Sequence, residues 1–488
     1  MPADSILVID AGTSALRACV VDAKGGVTLV HAEPWRMFVP GDTSAFGREL
    51  AAGDVVSSVR NIVRAATPYR ERVAGMALTG QREGVAFVDG NAEAVLVSPN
   101  IDARAAVEGI AIDSSHADLV YRATGHLPSL MHVPAKYQWL CTYRPQDAAR
   151  VVHALPLADW IAVLLTGEHM LSRSLGVENG MLEVTTGTPA TALWETAGAP
   201  TALMPPVVAD GQVRGVVRDG ALKGAPVTVC GADTQCALVG MGAIVEGMAG
   251  VPAGWSAPVQ LVTSSPVLDE QRRTWTGMHI APNRWVLESN AGDTGRAWDW
   301  MMHVAGVDVD DAEAMASAVP AGSGDVITVL GVAAMRARSM TAGIGGVLFP
   351  LPLAMSAPDR GSMLRSVLEA TACAIRANLE QIETISGRRV KALRLGGGMS
   401  RSDTFCRIVA DVLERDVHIA GHAETSAVGA AVLAAAALRL HDDVPAAVEA
   451  MVRTRCTLRP DPRASSVYDD AYDRWLALSR ACEEMAKA

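Results

Sequence analysis

Acidic residues placed where apolar segments end are the first chemistry this sequence offers. In VTVCGADTQCALV, Val227 to Cys230 read as a short buried strand, Gly231 as a turn, and Asp233 as the acid at the mouth of a helix. A carboxylate at the carboxyl end of a buried strand stands where open α/β sheets bind ligands. The plainer reading is that Asp233 caps the helix, as most acids in that position do.

A second acid repeats the pattern. Ile6 to Asp10 is an apolar strand, Gly12, Thr13 and Ser14 follow, and Arg17–Val21 and Val27–Ala32 read as two more strands. A hairpin with small hydroxyl residues at its tip can face a polyphosphate with backbone N–H groups, and Asp10 can then hold Mg²⁺. Asp10 can equally be a turn acid. The chain has no G-x-x-x-x-G-K-[ST] loop.

Two polar clusters suit hydroxyl recognition. Gln81, Arg82 and Glu83 interrupt two apolar strands, 73–78 and 85–89, and Asp102 lies in a second cluster, 99–104. Solvated turns are the common alternative. Further on, the strand 390–395 runs into Gly396, Gly397, Gly398 and Ser400, and a helix follows. A glycine triplet there lets the backbone approach a flat or anionic ligand, or serves only tight packing.

The elements carrying these residues point to an α/β protein of two similar halves. A chain of 488 residues, half of them hydrophobic, exceeds one ordinary core. The predicted helices include 54–66 (capped by Asp54), 363–385, 424–440 and 461–478. Segments 248–263 and 274–288 read as strands, and 107–171 as mainly helical. The formal charge of -11 argues against nucleic acid or an anionic membrane as partner. Eight scattered cysteines without metal spacing suit a reducing cytoplasm. The N-terminus lacks a basic segment, and the apolar tracts 326–355 and 426–440 fail as spans, the first for its Arg336 and Arg338, the second for its length. The expectation is a soluble, cytoplasmic protein.

In order along the chain, DAGTSALR (10–17), GQREG (80–84), NIDAR (100–104), LADWIAVLLTGE (157–168), CGADTQCALVG (230–240), GGGMSRSDTFCRIVADVL (396–413) and ETSAVGAAVLA (424–434) resemble the FGGY carbohydrate kinases. REGVAFVDGNAEAV with NIDARA, VYRATG (120–125) and the stretch from Met335 to FPLPL look most like the autoinducer-2 kinases of that family, and Arg82-Glu83 is similar to glycerol kinases. The resemblance implies an actin-like ATPase fold: two ribonuclease-H-like domains around a central cleft, 1–243 for sugar and 244–488 for nucleotide.

It further implies ATP and Mg²⁺ as cofactors, with Asp10 at the metal and Gly12, Thr13, Ser14 and Arg17 near the transferring phosphoryl. Asp233 would be the general base. Gln81, Arg82, Glu83, Asp102, Asp233 and Gln235 would contact the sugar; Gly254, Gly396, Gly397, Gly398 and Ser400 would face the nucleotide. The family's Gly-Thr phosphate element falls here on Pro252-Ala253-Gly254-Trp255-Ser256-Ala257, without a threonine.

The expected activity is phosphorylation of a small sugar or polyol, either the autoinducer-2 precursor or a four- to five-carbon ketose or alditol. A xylulokinase- or glycerol-kinase-like catabolic enzyme and a nucleotide-binding pseudokinase are the alternatives. The sequence leaves the oligomeric state open, a homodimer being one option.

Overall fold

The strand Ser5–Ala11 shows how the first half is built. Its side chains alternate: Leu7 and Ile9 enter one apolar layer, Ile6 and Val8 another. A strand buried on both faces reads as a continuous apolar run, and this one does. The computed structural model describes residues 3–41, 46–337, 343–352 and 357–486. Parts of the tract 326–355 and of the stretch from Met335 to FPLPL therefore lie outside the described residues.

The chain forms two compact units. One comprises Met1–Ile244, Thr263–Val286 and Thr425–Val452; the other comprises Val245–Val262, Leu287–Glu424 and Arg453–Ala488. The sequence reading places a single division at 243/244, whereas each unit gathers three segments.

In the first unit a six-stranded sheet runs Val213–Val216, Pro226–Ala232, Val73–Gly80, Ser5–Ala11, Ala15–Val21, Val27–Pro34. Its three middle strands, ending at Ala232, Gly80 and Ala11, are parallel, and Ser5–Ala11 with Ala15–Val21 makes the antiparallel hairpin. Helices Ala52–Ala65 and Leu157–Thr166 cover one face. Helices Asp233–Gly240 and Thr425–Ala437 cover the other. Those two approach through glycines: a Cβ on Gly429 would fall 1.8 Å from the Cys236 carbonyl oxygen, and one on Gly240 2.0 Å from that of Thr425.

The second unit repeats the order. The strands Pro258–Thr263, Ala249–Pro252, Ala392–Gly396, Asp416–Ala420 and Thr454–Leu458 lie side by side, the middle three parallel. Helix Arg360–Ser386 buries Leu364, Val367, Leu368, Ile375, Leu379 and Ile382, the stripe its spacing predicts.

Several boundaries differ from the sequence reading. The first helix begins at Ala52, so Asp54 sits inside its first turn and Ala51 is the cap residue. Segment 248–263 divides into two strands around a turn, 274–288 into Trp275–Met278 and the start of Trp285–Asn290, and 107–171 includes the strand His153–Pro156. Among the described residues no helix is long and apolar enough to cross a membrane. All eight cysteines are free thiols, six of them buried.

Candidate active site

Three parallel strands of the first unit end level with one another. Ala11 pairs with Gly80, and Gly80 with Ala232. The chain therefore releases Gly12, Gln81 and Asp233 side by side at the carboxyl edge of the sheet, where such sheets bind ligands. Gly231 makes this exit. Its φ is +97°, and a Cβ there would meet Ser174 Oγ at 2.5 Å and Ile280 Cγ2 at 2.7 Å. Asp233 is the first residue of its helix and Ala232 the cap, so the plain capping reading of Asp233 fails. One carboxylate oxygen of Asp233 accepts the Thr234 backbone N–H at 2.8 Å.

Asp10 stands one residue before the strand end. Its Oδ1 is enclosed and has no hydrogen-bond partner among the described residues. Burial pushes its pKa up to about 7, the negative charge of Asp233 adds to this, and Arg17 opposes it. An enclosed carboxylate oxygen held near a second acid is a fitting ligand for a hard divalent cation. Among the described residues no group of three or more His, Cys, Asp or Glu forms a metal cage. Mg²⁺ is commonly held by one or two carboxylates, with phosphate and water completing its shell.

Gln81 ties this edge together. Its Nε2 donates to the Gly12 carbonyl at 3.2 Å, and its Oε1 accepts the Asn100 N–H at 2.7 Å. Asn100 Nδ2 donates to Thr13 Oγ1 at 2.9 Å, and Trp35 Nε1 to the Gly12 carbonyl at 2.7 Å. The hairpin tip is thus fixed by side chains from three other segments. Asp102 is fully enclosed. Its oxygens accept Ser98 Oγ at 2.6 Å, Arg104 Nε at 2.5 Å and the backbone N–H of Arg48 at 2.9 Å. The structure gives both residues the work of shaping turns.

Arg82 and Gln235 meet at a residue the sequence reading missed. Buried Glu178 accepts Gln235 Nε2 at 2.6 Å and Arg82 Nη1 at 3.3 Å, and lies 3.6 Å from His126 Nε2. The Arg82 guanidinium lies 5.2 Å from the Trp275 ring centre, and His126 stacks on that ring. Gly277 closes the group: a Cβ there would fall 2.0 Å from Glu178 Oε1. Burial holds the His126 pKa well below the usual histidine range, and the charge of Arg82 adds to this. Glu83 has a positive φ of 63°, and its carbonyl accepts Lys136 Nζ at 2.7 Å. Burial lowers Lys136 to about 8. The only sequence signal for Glu178 is an acid directly after the apolar run Leu175-Gly176-Val177.

In the second unit, Pro252 and Gly396 are the paired last residues of two parallel strands. The turns beyond them interlock: Ala253 N–H donates to the Gly396 carbonyl at 2.8 Å, and Met399 N–H to the Ala253 carbonyl at 3.0 Å. Gly397, at φ +83°, is required by packing, since a Cβ would fall 2.4 Å from Ala253 O. Ser400 Oγ donates to the Gly397 carbonyl at 2.7 Å, an internal tie. Gly254 and Gly398 have open space where a Cβ would lie, so they are the glycines a ligand can approach. Thr294 Oγ1 donates to the Gly254 carbonyl at 3.3 Å. Gly295 N–H joins it there at 3.0 Å.

Comparison with known proteins places this geometry. The N-terminal domain model of the FGGY family of carbohydrate kinases matches residues 5–240, and the C-terminal domain model matches 251–438. Autoinducer-2 kinase of Escherichia coli K12 is 27% identical over 97% of this chain and 93% of its own length. That of Salmonella typhimurium is 26% identical over the same shares. A xylulose kinase from Rhodospirillum rubrum shares the fold, with TM-score 0.83 at 24% identity, over 99% of this chain and 100% of that one. So does Plasmodium falciparum glycerol kinase with ADP, at TM-score 0.82 and 17% identity, over 97% and 99%. The two units are those of the actin-like ATPase fold, and the chain belongs to the FGGY family of carbohydrate kinases, enzymes that phosphorylate sugars with ATP.

Proposed function

We propose that this kinase phosphorylates a hydroxyl of the autoinducer-2 precursor, or of a ketose or alditol of similar size, with Asp233 as general base. One observation carries the reading: Asp10 and Asp233 lie at the carboxyl ends of the two parallel strands that flank Val73–Gly80 and interact electrostatically, one enclosed and proton-retaining, the other at a helix start. Two neighbouring carboxylates of different character suit two different tasks.

Phosphoryl transfer asks mainly for positioning and for relief of developing charge. The first unit would bind the sugar and the second the nucleotide. Asp10 would hold Mg²⁺, which when bound neutralises charge on the phosphates. Gly12, Thr13 and Ser14 would face the phosphoryl group with Arg17, while Gly254 and Gly398 would admit the nucleotide phosphates. Arg82, Gln235 and Glu83 would orient the sugar, and Asp233 would take the proton of the attacking hydroxyl. The names of the relatives favour the autoinducer-2 precursor among candidate sugars.

The test is ADP release by the purified protein with Mg-ATP across the autoinducer-2 precursor, xylulose, glycerol and four- to five-carbon alditols. Turnover highest on the precursor is expected. Silence on every compound while ATP still binds would move the assignment to a nucleotide-binding pseudokinase.

Glu178 supplies a sharper check on the sugar side. Glu178→Gln keeps the shape but removes the charge that holds Arg82, so Arg82 swings and Gln235 loses its charged acceptor. The Michaelis constant for sugar should rise about tenfold with kcat changed less than about threefold. An unchanged sugar KM would separate this cluster from the substrate.

A further inference from the structure

One face of the second unit's sheet carries polar side chains at half-buried positions. Along Ala392–Gly396 and Asp416–Ala420, Leu393, Leu395, Val417 and Ile419 are buried, while the alternate residues Arg394 and His418 are half-buried. On that second face, Arg394 stands in register with Gly250 on one side and His418 on the other. They line a groove of about 430 Å³ together with Met248, Arg389, Lys391 and Glu246. The groove gathers residues from the amino-terminal ends of the strands, whereas Gly254 and Gly398 follow their carboxyl ends.

The cations in it are poorly matched. The Arg394 side chain makes no hydrogen bond or ion pair among the described residues, and its Nε is enclosed with no partner. Lys391, exposed at the rim, has no ion pair among them either. Arg389 exerts its charge on Glu383, and the groove's one lining acid, Glu246, is held by Arg388 at 2.5 Å. His418 shares a 2.8 Å hydrogen bond with Thr457 Oγ1 through Nδ1, leaving Nε2 for another partner; Asp416 and Arg394 act on its charge in opposite senses.

Elsewhere in the same unit buried and half-buried arginines are answered: Arg365 by Glu369, Arg376 by Glu380 and Asp469, Arg415 by Glu383. The whole chain carries a formal -11, so unanswered cations converging on one groove do not reflect a general basic excess. A guanidinium taken from water without a partner weakens a fold. An anion from outside can supply the partner that such a guanidinium lacks.

We propose that this groove binds the phosphate group of a small metabolite, or phosphate itself, through Arg394, Lys391 and His418. A planar fork, a point charge and an imidazole offer donors in separate directions, which suits a tetrahedral dianion. The volume lies in the range of small-molecule sites.

The experiment is thermal unfolding at constant ionic strength with inorganic phosphate, with 3-phosphoglycerate, or with chloride alone. Wild-type protein should gain about 2 °C at about 10 mM of either phosphate compound over chloride. Arg394→Gln should lose that gain and, without ligand, melt no lower than wild type. Lys391→Gln, at an exposed position, should lose at least half of the gain at an unchanged melting point. A gain with the ester alone assigns a metabolite; gains with both assign the phosphate group. A gain kept in full by both variants would place the anion elsewhere, and no gain in wild type would remove the site. An Arg394→Gln protein that melts below wild type would make Arg394 a structural residue, overturning the proposal.

Discussion

Asp233→Asn should lower kcat by about 10²–10⁴ and leave ATP binding as it is. The asparagine oxygen can still accept the Thr234 N–H, so the helix start is preserved and only the proton acceptor goes. Nothing in the proposed role of Asp233 touches the nucleotide, so titration with ATP without Mg²⁺ should give the wild-type affinity. The substitution should also be felt by Asp10. The charge of Asp233 is the second cause of Asp10's raised pKa, so removing it lets Asp10 ionise at lower pH. Turnover within about twofold of wild type would remove Asp233 from the chemistry.

Asp10→Asn should behave oppositely on stability and activity. The folded pKa of Asp10 lies near 7 against 3.8 for the free side chain, so the folded protein holds this proton more tightly than the unfolded chain. The stability that goes with that proton is complete below pH about 4 and is lost as the pH rises through 7. The asparagine variant has no such loss. At pH 8 without metal it should melt about 3 °C above wild type, and the gap should narrow steadily as the pH falls toward 5. Adding Mg²⁺ at pH 8 should raise the melting point of wild type and not of the variant, because the cation compensates the same charge. Turnover should fall in parallel. A variant that melts below wild type at pH 8, with no difference in response to Mg²⁺, would contradict both the burial argument and the metal assignment.

What could be read from the sequence follows the distance over which each feature is encoded. Asp10 with Gly12 and Thr13, and Gly231 with Asp233, are local patterns: an apolar run, a small residue and an acid within a few positions. Their placement at the carboxyl edge of one parallel sheet follows from the fold class. The Glu178 group is different in kind. It draws on positions 82, 126, 178, 235, 275 and 277, and no local pattern joins them. Thr294 is a similar case, since it reaches Gly254 only because a helix start is packed there. Gln81 and Asp102 show a third limit. Their positions in two turns were legible, but residue type cannot say whether a side chain faces ligand or its own backbone; here Asn100, Arg48 and Arg104 answer them. The helix start at Ala52 instead of Asp54 reflects weak terminal signals: an acid in the first turn and an acid at the cap look alike in sequence.

The glycine crossing between Asp233–Gly240 and Thr425–Ala437 bears on how the protein is made. The helix that begins with Asp233 packs against residues that leave the ribosome almost two hundred positions later. Until they emerge, Cys236 and Val239, together with Ile6 and Val8 of the sheet, lack the small-residue helix that shields them. The nascent first unit therefore carries an open apolar surface through the synthesis of Leu287–Glu424, a long interval in which a holding chaperone has a defined place to bind. The same delay means that the helix opened by Asp233 gains its packing partner only when the chain is nearly finished.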